Sequence, residues 1–186
     1  MRDYRVLYGA AERLAAFIEV LAPFRPVEDV RKRLDAIQER DPRDVPPGVL
    51  PGSWTRPRTI GRAVVTGTFA DITHAESIAY LRGAMAAEVD RLGVSDITAA
   101  MLKGQDRDFT RAVSRHVFKL TTDGRPSFAG IQYRSRHGDN YDLWAVFERQ
   151  ETSNVFPLGQ PEWIRVDDAD LKEACEMLGL QLDENY

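Results

Sequence analysis

The stretch AGIQYRSRHGDNYDLWAVF, residues 129–147, indicates the β part of the fold. Its two apolar and aromatic runs, Ala129–Tyr133 and Tyr141–Phe147, lie on either side of the turn-forming residues HGDN at 137–140. Such runs, separated by a cluster of glycine, aspartate and asparagine, are typical of strands that flank a turn. We therefore predict two strands around a turn at 137–140.

Outward from this stretch, further strands are predicted near both ends of the chain, at Tyr4–Tyr8, Thr59–Thr66 and Trp163–Val166. Apolar residues at helical spacing predict the helices. Three of these helices are expected at Leu14–Leu21, which ends before Pro23, at Val27–Ile37 and at Asp106–Leu120. Another is expected from a capping box of Thr73 with Glu76 to Leu92, and the last one after Asp167 or Asp168. Short strands at both ends around a helical middle favour an α+β fold over a regular βαβ repeat.

One segment, DPRDVPPGVLPGSWTRP at 41–57, is rich in proline and glycine. Proline lacks a backbone donor, so this segment cannot be a helix or a central strand. We predict an ordered surface loop that joins two halves of one domain spanning residues 1–186. Trp54 in this loop could serve as a lid or an interface anchor, and Trp144 is expected in the core.

The composition excludes several classes of function. With 186 residues, 43% hydrophobic and 29% charged, the chain can bury a core, and its net charge of −4 argues against direct nucleic-acid binding. The single cysteine, Cys175, cannot form an internal disulfide and lies in an apolar helical pattern that predicts burial. No apolar run is long enough for a membrane helix and the first residues are too polar for a signal peptide, so we expect a cytoplasmic protein.

Common catalytic motifs are missing from the sequence. It contains neither a glycine-rich phosphate loop nor a G-x-S-x-G elbow. The three histidines, His74, His116 and His137, are far apart and lack the spacing of metal ligands, so no metal is expected. His116 is expected to be structural and His137 to be solvated in a turn.

Three segments together resemble the RES domain family. VLYGAAERLAAFIEVLAPF at 6–24 resembles the family's strand ending in a tyrosine, followed by a helix with a glutamate eleven residues later, here Tyr8 and Glu19. GIQYRSR at 130–136 resembles the segment that carries the family serine, here Ser135, and WAVFE at 144–148 resembles the strand after it. GTFADI at 67–72 and GQDRDFTRAVSRHVF at 104–118 are similar to the longer, actinobacterial-like branch of the family.

The resemblance implies an ADP-ribosyltransferase-like fold and an enzyme that degrades NAD or transfers ADP-ribose. It also implies a toxin of a toxin–antitoxin pair, with an Xre-like antitoxin protein as partner, and allows a homo-oligomer. Family members carry their named arginine on a strand before the V-L-Y run, whereas here five residues precede Val6 and neither Arg2 nor Arg5 has the family spacing. The alternative interpretation is therefore a truncated or inactive RES-fold domain that binds a partner protein or a nucleotide without turnover.

Four side chains are candidates for the site: the resemblance points to Tyr8, Glu19 and Ser135, and Arg136 belongs to the cationic patch beside Ser135. Glu19 would stabilise positive charge on the ribose, and Tyr8 would contact the nicotinamide or the ribose. Ser135 is expected as a further ligand contact, and Arg136 as a group that holds the pyrophosphate through its bidentate guanidinium. Strand alternation places Arg134 and Arg136 on one side and Ser135 on the other, so the three cannot all face one ligand. An exposed helical glutamate, a core tyrosine and a solvated arginine are the competing interpretations of Glu19, Tyr8 and Arg136.

Overall fold

The computed structural model describes residues 4–26, 45–104, 106–149 and 154–183. The predicted strand pair forms the centre of a four-stranded sheet with the order β1–β9–β8–β5. Strand β9 pairs antiparallel with both β1 and β8, while β5 pairs parallel with β8. These strands are β1 (Arg5–Ala10), β5 (Phe69–Asp71), β8 (Gly130–Ser135) and β9 (Gly138–Glu148).

The turn between β8 and β9 is shorter than expected. Ser135 pairs with Gly138, so the turn consists of Arg136 and His137 alone, and residues 138–140 already belong to β9. A Cβ on Gly138 would lie 2.7 Å from the side-chain oxygen of Asn140 and 3.0 Å from the Tyr141 ring. Glycine therefore allows the side chains of Asn140 and Tyr141 to pack closely at the start of β9, and it does not serve a four-residue turn.

Four helices follow β5, namely α2 (Ala75–Ala84), α3 (Ala86–Arg91), α4 (Ala99–Leu102) and α5 (Arg107–Lys119). Helix α5 confirms the prediction for 106–120 and buries Phe109, Val113 and Val117, which are spaced four residues apart. These side chains belong to the same core cluster as Ile131 and Phe147 of the sheet. Burial of one apolar stripe against the sheet is what stabilises this amphipathic helix.

The cap of α2 differs from the expected capping box. The N-cap residue is His74, whose ring Nδ1 accepts from the backbone N–H of Glu76 at 3.4 Å. The backbone N–H and hydroxyl of Thr73 instead donate to Oδ1 of Asp71, at 3.0 and 2.8 Å. Thr73 is therefore hydrogen-bonded to the carboxylate of Asp71 and does not cap the helix. The helix begins one residue later than the sequence pattern indicates.

Contacts within the chain define two compact units, each built from two segments. The first comprises residues 1–11 and 63–156, and the second comprises residues 12–62 and 157–186. In the second unit, α1 (Arg13–Leu21) packs against α6 (Ala169–Leu178), and a short 3₁₀ turn covers Ala22–Phe24. The single domain predicted over 1–186 stays a prediction.

An ion cluster joins the two helices of the second unit. Asp168 caps α6, since its Oδ1 accepts from the backbone N–H groups of Asp170 and Leu171 at 3.0 and 3.2 Å. Its other oxygen accepts from the guanidinium of Arg13, the first residue of α1. The Nε of Arg13 donates to Asp170 at 3.0 Å, and Glu162 lies 3.6 Å away. Asp168 thus starts α6, and the sequence left the choice between it and Asp167 open.

The proline-rich segment is not a surface loop throughout. Residues 41–44 and the helix predicted at 27–37 lie outside the described residues. Strand β2 (Val49–Pro51) pairs parallel with β12 (Gln181–Asp183), and a 3₁₀ turn follows at Gly52–Trp54. Leu50 and Trp54 are buried, which excludes an exposed lid role for Trp54. The partner strand lies about 130 residues further along the chain, so local composition could not reveal this pairing.

The remaining strands are short. The strand expected at 59–66 is divided into β3 (Thr59–Ile60) and β4 (Ala63–Val65), which pair with β11 (Glu162–Trp163) and β10 (Val155–Pro157). A tight hairpin joins β6 (Thr121–Thr122) to β7 (Arg125–Pro126). Together these elements confirm a mixed α and β fold with several small sheets. An ADP-ribosyltransferase-like fold stays a prediction.

Candidate functional site

Ser135 lies at the end of β8, where the ladder between β8 and β9 has an irregular register. Its side chain is only 2% exposed, and its hydroxyl oxygen accepts from the backbone N–H of His137 at 2.9 Å. A serine that accepts a bond two residues along is a common stabiliser of tight turns. In this structure the hydroxyl of Ser135 thus closes the turn from inside the first unit.

Arg136 has the opposite environment, because it is exposed in the two-residue turn. Its Nε donates to the ring Nε2 of His137 at 3.2 Å. Arg134 is also exposed and pairs with Asp142 across the hairpin at 2.9 Å. The expected alternation is therefore observed, with Ser135 inside and both arginines outside, and a ligand that contacts Arg136 approaches from solvent.

Tyr8 lies in β1 opposite Ala145 of β9. Residues opposite each other in a sheet share a face, as do residues two apart on one strand, so Tyr8 shares its face with Val6. Val6 packs against the core cluster of the first unit, whereas the ring of Tyr8 is 71% exposed. The core-tyrosine interpretation is therefore wrong, and this aromatic ring is accessible to a ligand.

The sheet register separates Tyr8 from Ser135. Tyr8 pairs with Ala145 of β9, which pairs in turn with Ile131 of β8, and Ser135 lies four residues further along β8. At about 3.3 Å per residue, the two positions are roughly 13 Å apart along the strand direction, on strands β1 and β8 that are not neighbours. One ring or one sugar cannot contact both residues.

Glu19 lies near the end of α1, in the second unit. Its side chain is half-buried, next to the buried face of α1 formed by Ala15, Ile18 and Leu21. The structure therefore distributes the four candidate residues over both units, with Tyr8, Ser135 and Arg136 in the first.

One cavity lies elsewhere, in the second unit. It has a volume of about 430 Å³ and is lined by Lys172, Cys175 and Glu176 of α6 together with Leu180 and Leu182. Burial raises the pKa of the Cys175 thiol, which keeps it protonated. A protonated thiol is a poor nucleophile, so the expectation of a buried, structural cysteine is confirmed.

A second cavity, of about 330 Å³, lies between α3 and α5 in the first unit. Three arginines, two carboxylates and two apolar side chains line it, namely Arg91, Arg111, Arg115, Glu88, Asp108, Leu92 and Ala112. The apolar face of α5 was predicted from the sequence, whereas this charged surface was not. The signal was present, because basic residues recur at every fourth position on the same helix.

Other classes of site are not supported in the described part of the chain. Among residues 4–26, 45–104, 106–149 and 154–183, no group of three or more histidine, cysteine, aspartate or glutamate side chains could hold a metal ion. Within the same ranges no helix has both the length and the apolar character that a membrane crossing requires.

Comparison with known proteins adds no relative. No protein-family model matches the chain, and searches of curated proteins and of solved structures find no match either.

Proposed function

We propose that this chain is an NAD-cleaving enzyme of the RES type, with NAD as its substrate, and that it acts in the cytoplasm as the toxin of a pair with an Xre-like antitoxin. The exposed ring of Tyr8 carries the proposal. This tyrosine has the position that the resemblance assigns to a ligand contact, and it projects from a sheet strand with 71% of its surface accessible. An aromatic ring in this state can stack on a flat heterocycle such as nicotinamide.

The reaction requires little covalent work from the protein. The bond between nicotinamide and ribose breaks, its electron pair leaves with nicotinamide, and positive charge develops on the ribose. Water, phosphate or a protein side chain then supplies the nucleophile that bonds to the ribose. The enzyme accelerates such a step by positioning the substrate and stabilising the developing charge.

Glu19 is assigned the electrostatic role and Arg136 the role of binding the pyrophosphate. A carboxylate beside the ribose stabilises the transition state more than the ground state, which is the condition for a faster chemical step. Arg136 is exposed in a turn, where its guanidinium can form two parallel hydrogen bonds to phosphate oxygens. Ser135 acts by fixing the turn that presents Arg136, since its hydroxyl bonds the backbone of His137.

The test is nicotinamide release from NAD by the purified chain and its variants. Glu19→Gln should slow release by about 100- to 1,000-fold, the usual effect of removing one group that stabilises transition-state charge. The matched control is Glu173→Gln, which changes an exposed glutamate on α6 in the same way and should leave release unchanged.

The role of Tyr8 is tested separately. Tyr8→Ala should raise KM for NAD by about tenfold, which corresponds to about 1.4 kcal/mol of lost stacking. Leu7→Ala truncates the neighbouring residue of the same strand, which is 54% exposed, and should leave KM within twofold. Equal effects of both substitutions, or undiminished release by Glu19→Gln, would contradict the assignment.

A second candidate is a domain that binds a nucleotide or a partner without turnover. The positions of Tyr8 and Ser135 favour it, because the two residues are roughly 13 Å apart along the strand direction, on strands that are not neighbours, and one ring or one sugar cannot contact both. Titration calorimetry with NAD distinguishes the two candidates. Heat of binding without nicotinamide release identifies the binding domain, and release identifies the enzyme.

A further inference from the structure

Helix α5 carries a stripe of four cations, which we call the α5 basic face: Arg107, Arg111, Arg115 and Lys119. All four side chains are exposed, and their spacing of four residues places them in one row along the helix. At 1.5 Å per residue the row is about 18 Å long. It lies on the side of α5 opposite to the buried residues Phe109, Val113 and Val117.

Helix stability does not explain this row. Like charges four residues apart destabilise a helix, and the row contains three such pairs. A cation in the first turn also opposes the helix dipole, and Arg107 is the first residue of α5. The apolar face already anchors the helix to its core, and Lys119, in the last turn, is the member of the row whose position suits the helix dipole.

The cavity between α3 and α5 adjoins this row and gives it a specific shape. Arg111 and Arg115 line the cavity from α5, while the half-buried side chains of Leu92 and Ala112 provide apolar surface. A volume of about 330 Å³ can hold one large aliphatic or aromatic side chain. Cationic side chains therefore lie beside a cavity that can accept one apolar side chain of a partner.

The charges around the cavity distinguish between classes of partner. Glu88 accepts two hydrogen bonds from Arg91, at 2.9 and 2.6 Å, and both residues line the cavity with Asp108. Hydrogen bonding from Arg91, with a smaller contribution from its charge, holds the pKa of Glu88 below its usual range, so this carboxylate stays ionised. A nucleic-acid backbone would bring continuous negative charge against Glu88 and Asp108. A peptide can place carboxylates on the row and an apolar side chain in the cavity.

We propose that the α5 basic face and the adjoining cavity bind an acidic, helical segment of a partner protein. Carboxylates at every fourth position of that segment pair with the cations of α5, and one apolar side chain enters the cavity against Leu92 and Ala112. Charge complementarity of this kind sets specificity and association rate, and apolar anchors supply affinity. The surface lies entirely in the first unit and does not depend on NAD cleavage.

The probe is a labelled 20-residue helical peptide with glutamate at every fourth position and one central leucine, and the readout is fluorescence anisotropy with the full chain. The variant Arg111→Glu with Arg115→Glu should weaken binding at least tenfold. The control Arg56→Glu with Arg125→Glu changes net charge equally at exposed residues that neither belong to the α5 basic face nor line the cavity, and should stay within threefold of the unmodified protein. Circular dichroism checks that both double variants retain their helices.

Two further measurements distinguish the contribution of the charges to binding from that of the apolar side chain. Replacing the peptide leucine by serine should weaken binding several-fold, and raising salt from 50 to 300 mM should weaken it further, because exposed charges are screened within about 8 Å at physiological ionic strength. Absence of peptide binding at 50 mM salt, equal weakening by both double variants, or tighter binding of a 20-base-pair DNA duplex at the same salt would each overturn the proposal.

Discussion

Replacement of Asp168 by alanine should destabilise the protein by about 2–3 kcal/mol, because this carboxylate has two separate structural roles. It caps α6 by accepting from the backbone N–H groups of Asp170 and Leu171, and it pairs with the guanidinium of Arg13. Loss of an N-cap costs about 1 kcal/mol. Loss of a charged, partly buried hydrogen bond costs about 1–2 kcal/mol more. This cost is at the lower end of the usual range for such bonds, because Arg13 keeps its bond to Asp170.

The two roles can be separated by Asp168→Asn. Asparagine is as good an N-cap as aspartate, so this variant loses the ion pair alone and should be destabilised by about 1 kcal/mol. Asp167→Ala is the matched control, because the side chain of Asp167 is 57% exposed and its partner Arg165 is 76% exposed. Exposed pairs contribute little, so the control should change stability by less than about 0.5 kcal/mol.

Urea unfolding followed by circular dichroism measures these differences, and calorimetry gives a second readout. For a chain of this size 1 kcal/mol corresponds to about 2–4 °C in Tm, so Asp168→Ala should lower Tm by about 4–12 °C. Equal destabilisation by Asp168→Ala and Asp168→Asn would refute the capping role. A loss in Asp167→Ala as large as in Asp168→Ala would refute the assignment of the cap.

Four other predictions concern the core, the sheet, a histidine and the cysteine. Phe109→Ala should cost about 3–5 kcal/mol in urea unfolding, since the ring is fully buried. Gly130→Ala should strongly lower Tm, because a Cβ would lie 2.3 Å from a backbone oxygen, whereas Gly61→Ala, with nothing within 4 Å, should not. Burial lowers the pKa of His116 in the folded protein. The stability that this side chain contributes is therefore fully present above about pH 6.5 and is lost as the pH falls through the lower pKa of the folded state. His116→Gln should make the free energy of unfolding less dependent on pH in this range. Cys175 should react with iodoacetamide only on unfolding, and rapid labelling of the native protein would contradict its burial.

The elements that the sequence predicted well are those with strong local signals. Helix α5 has a continuous amphipathic pattern and an aspartate cap, and its observed bounds differ from the expected ones by one residue at each end. The two strands around Arg136 and His137 alternate clearly and were also found, although the turn itself was expected later. In these cases the residues that decide the structure are close together in the sequence.

The pairings that the sequence could not reveal connect distant residues. Strand β2 contains a proline, so its local sequence predicts a loop. The strand is recognised only through its pairing with the distant parallel strand β12. The exposure of Tyr8 and the burial of Ser135 follow in the same way from positions in the assembled sheet. The local sequence pattern indicates which residues could form a site, but the position of each residue in the assembled sheet determines which side chains are exposed to solvent.

The pairing of β1 with β9 also has a consequence for synthesis of the protein. Arg5 lies opposite Glu148, and within the described residues β1 has β9 as its one neighbour in the sheet, so its partner strand is synthesised about 140 residues later. On a ribosome that adds about 5–20 residues per second, β1 stays without its partner for roughly 7–30 s. During that interval its exposed edge and Leu7 are available to other nascent chains. Production in cells should therefore be sensitive to translation rate and to chaperones that bind short apolar strands.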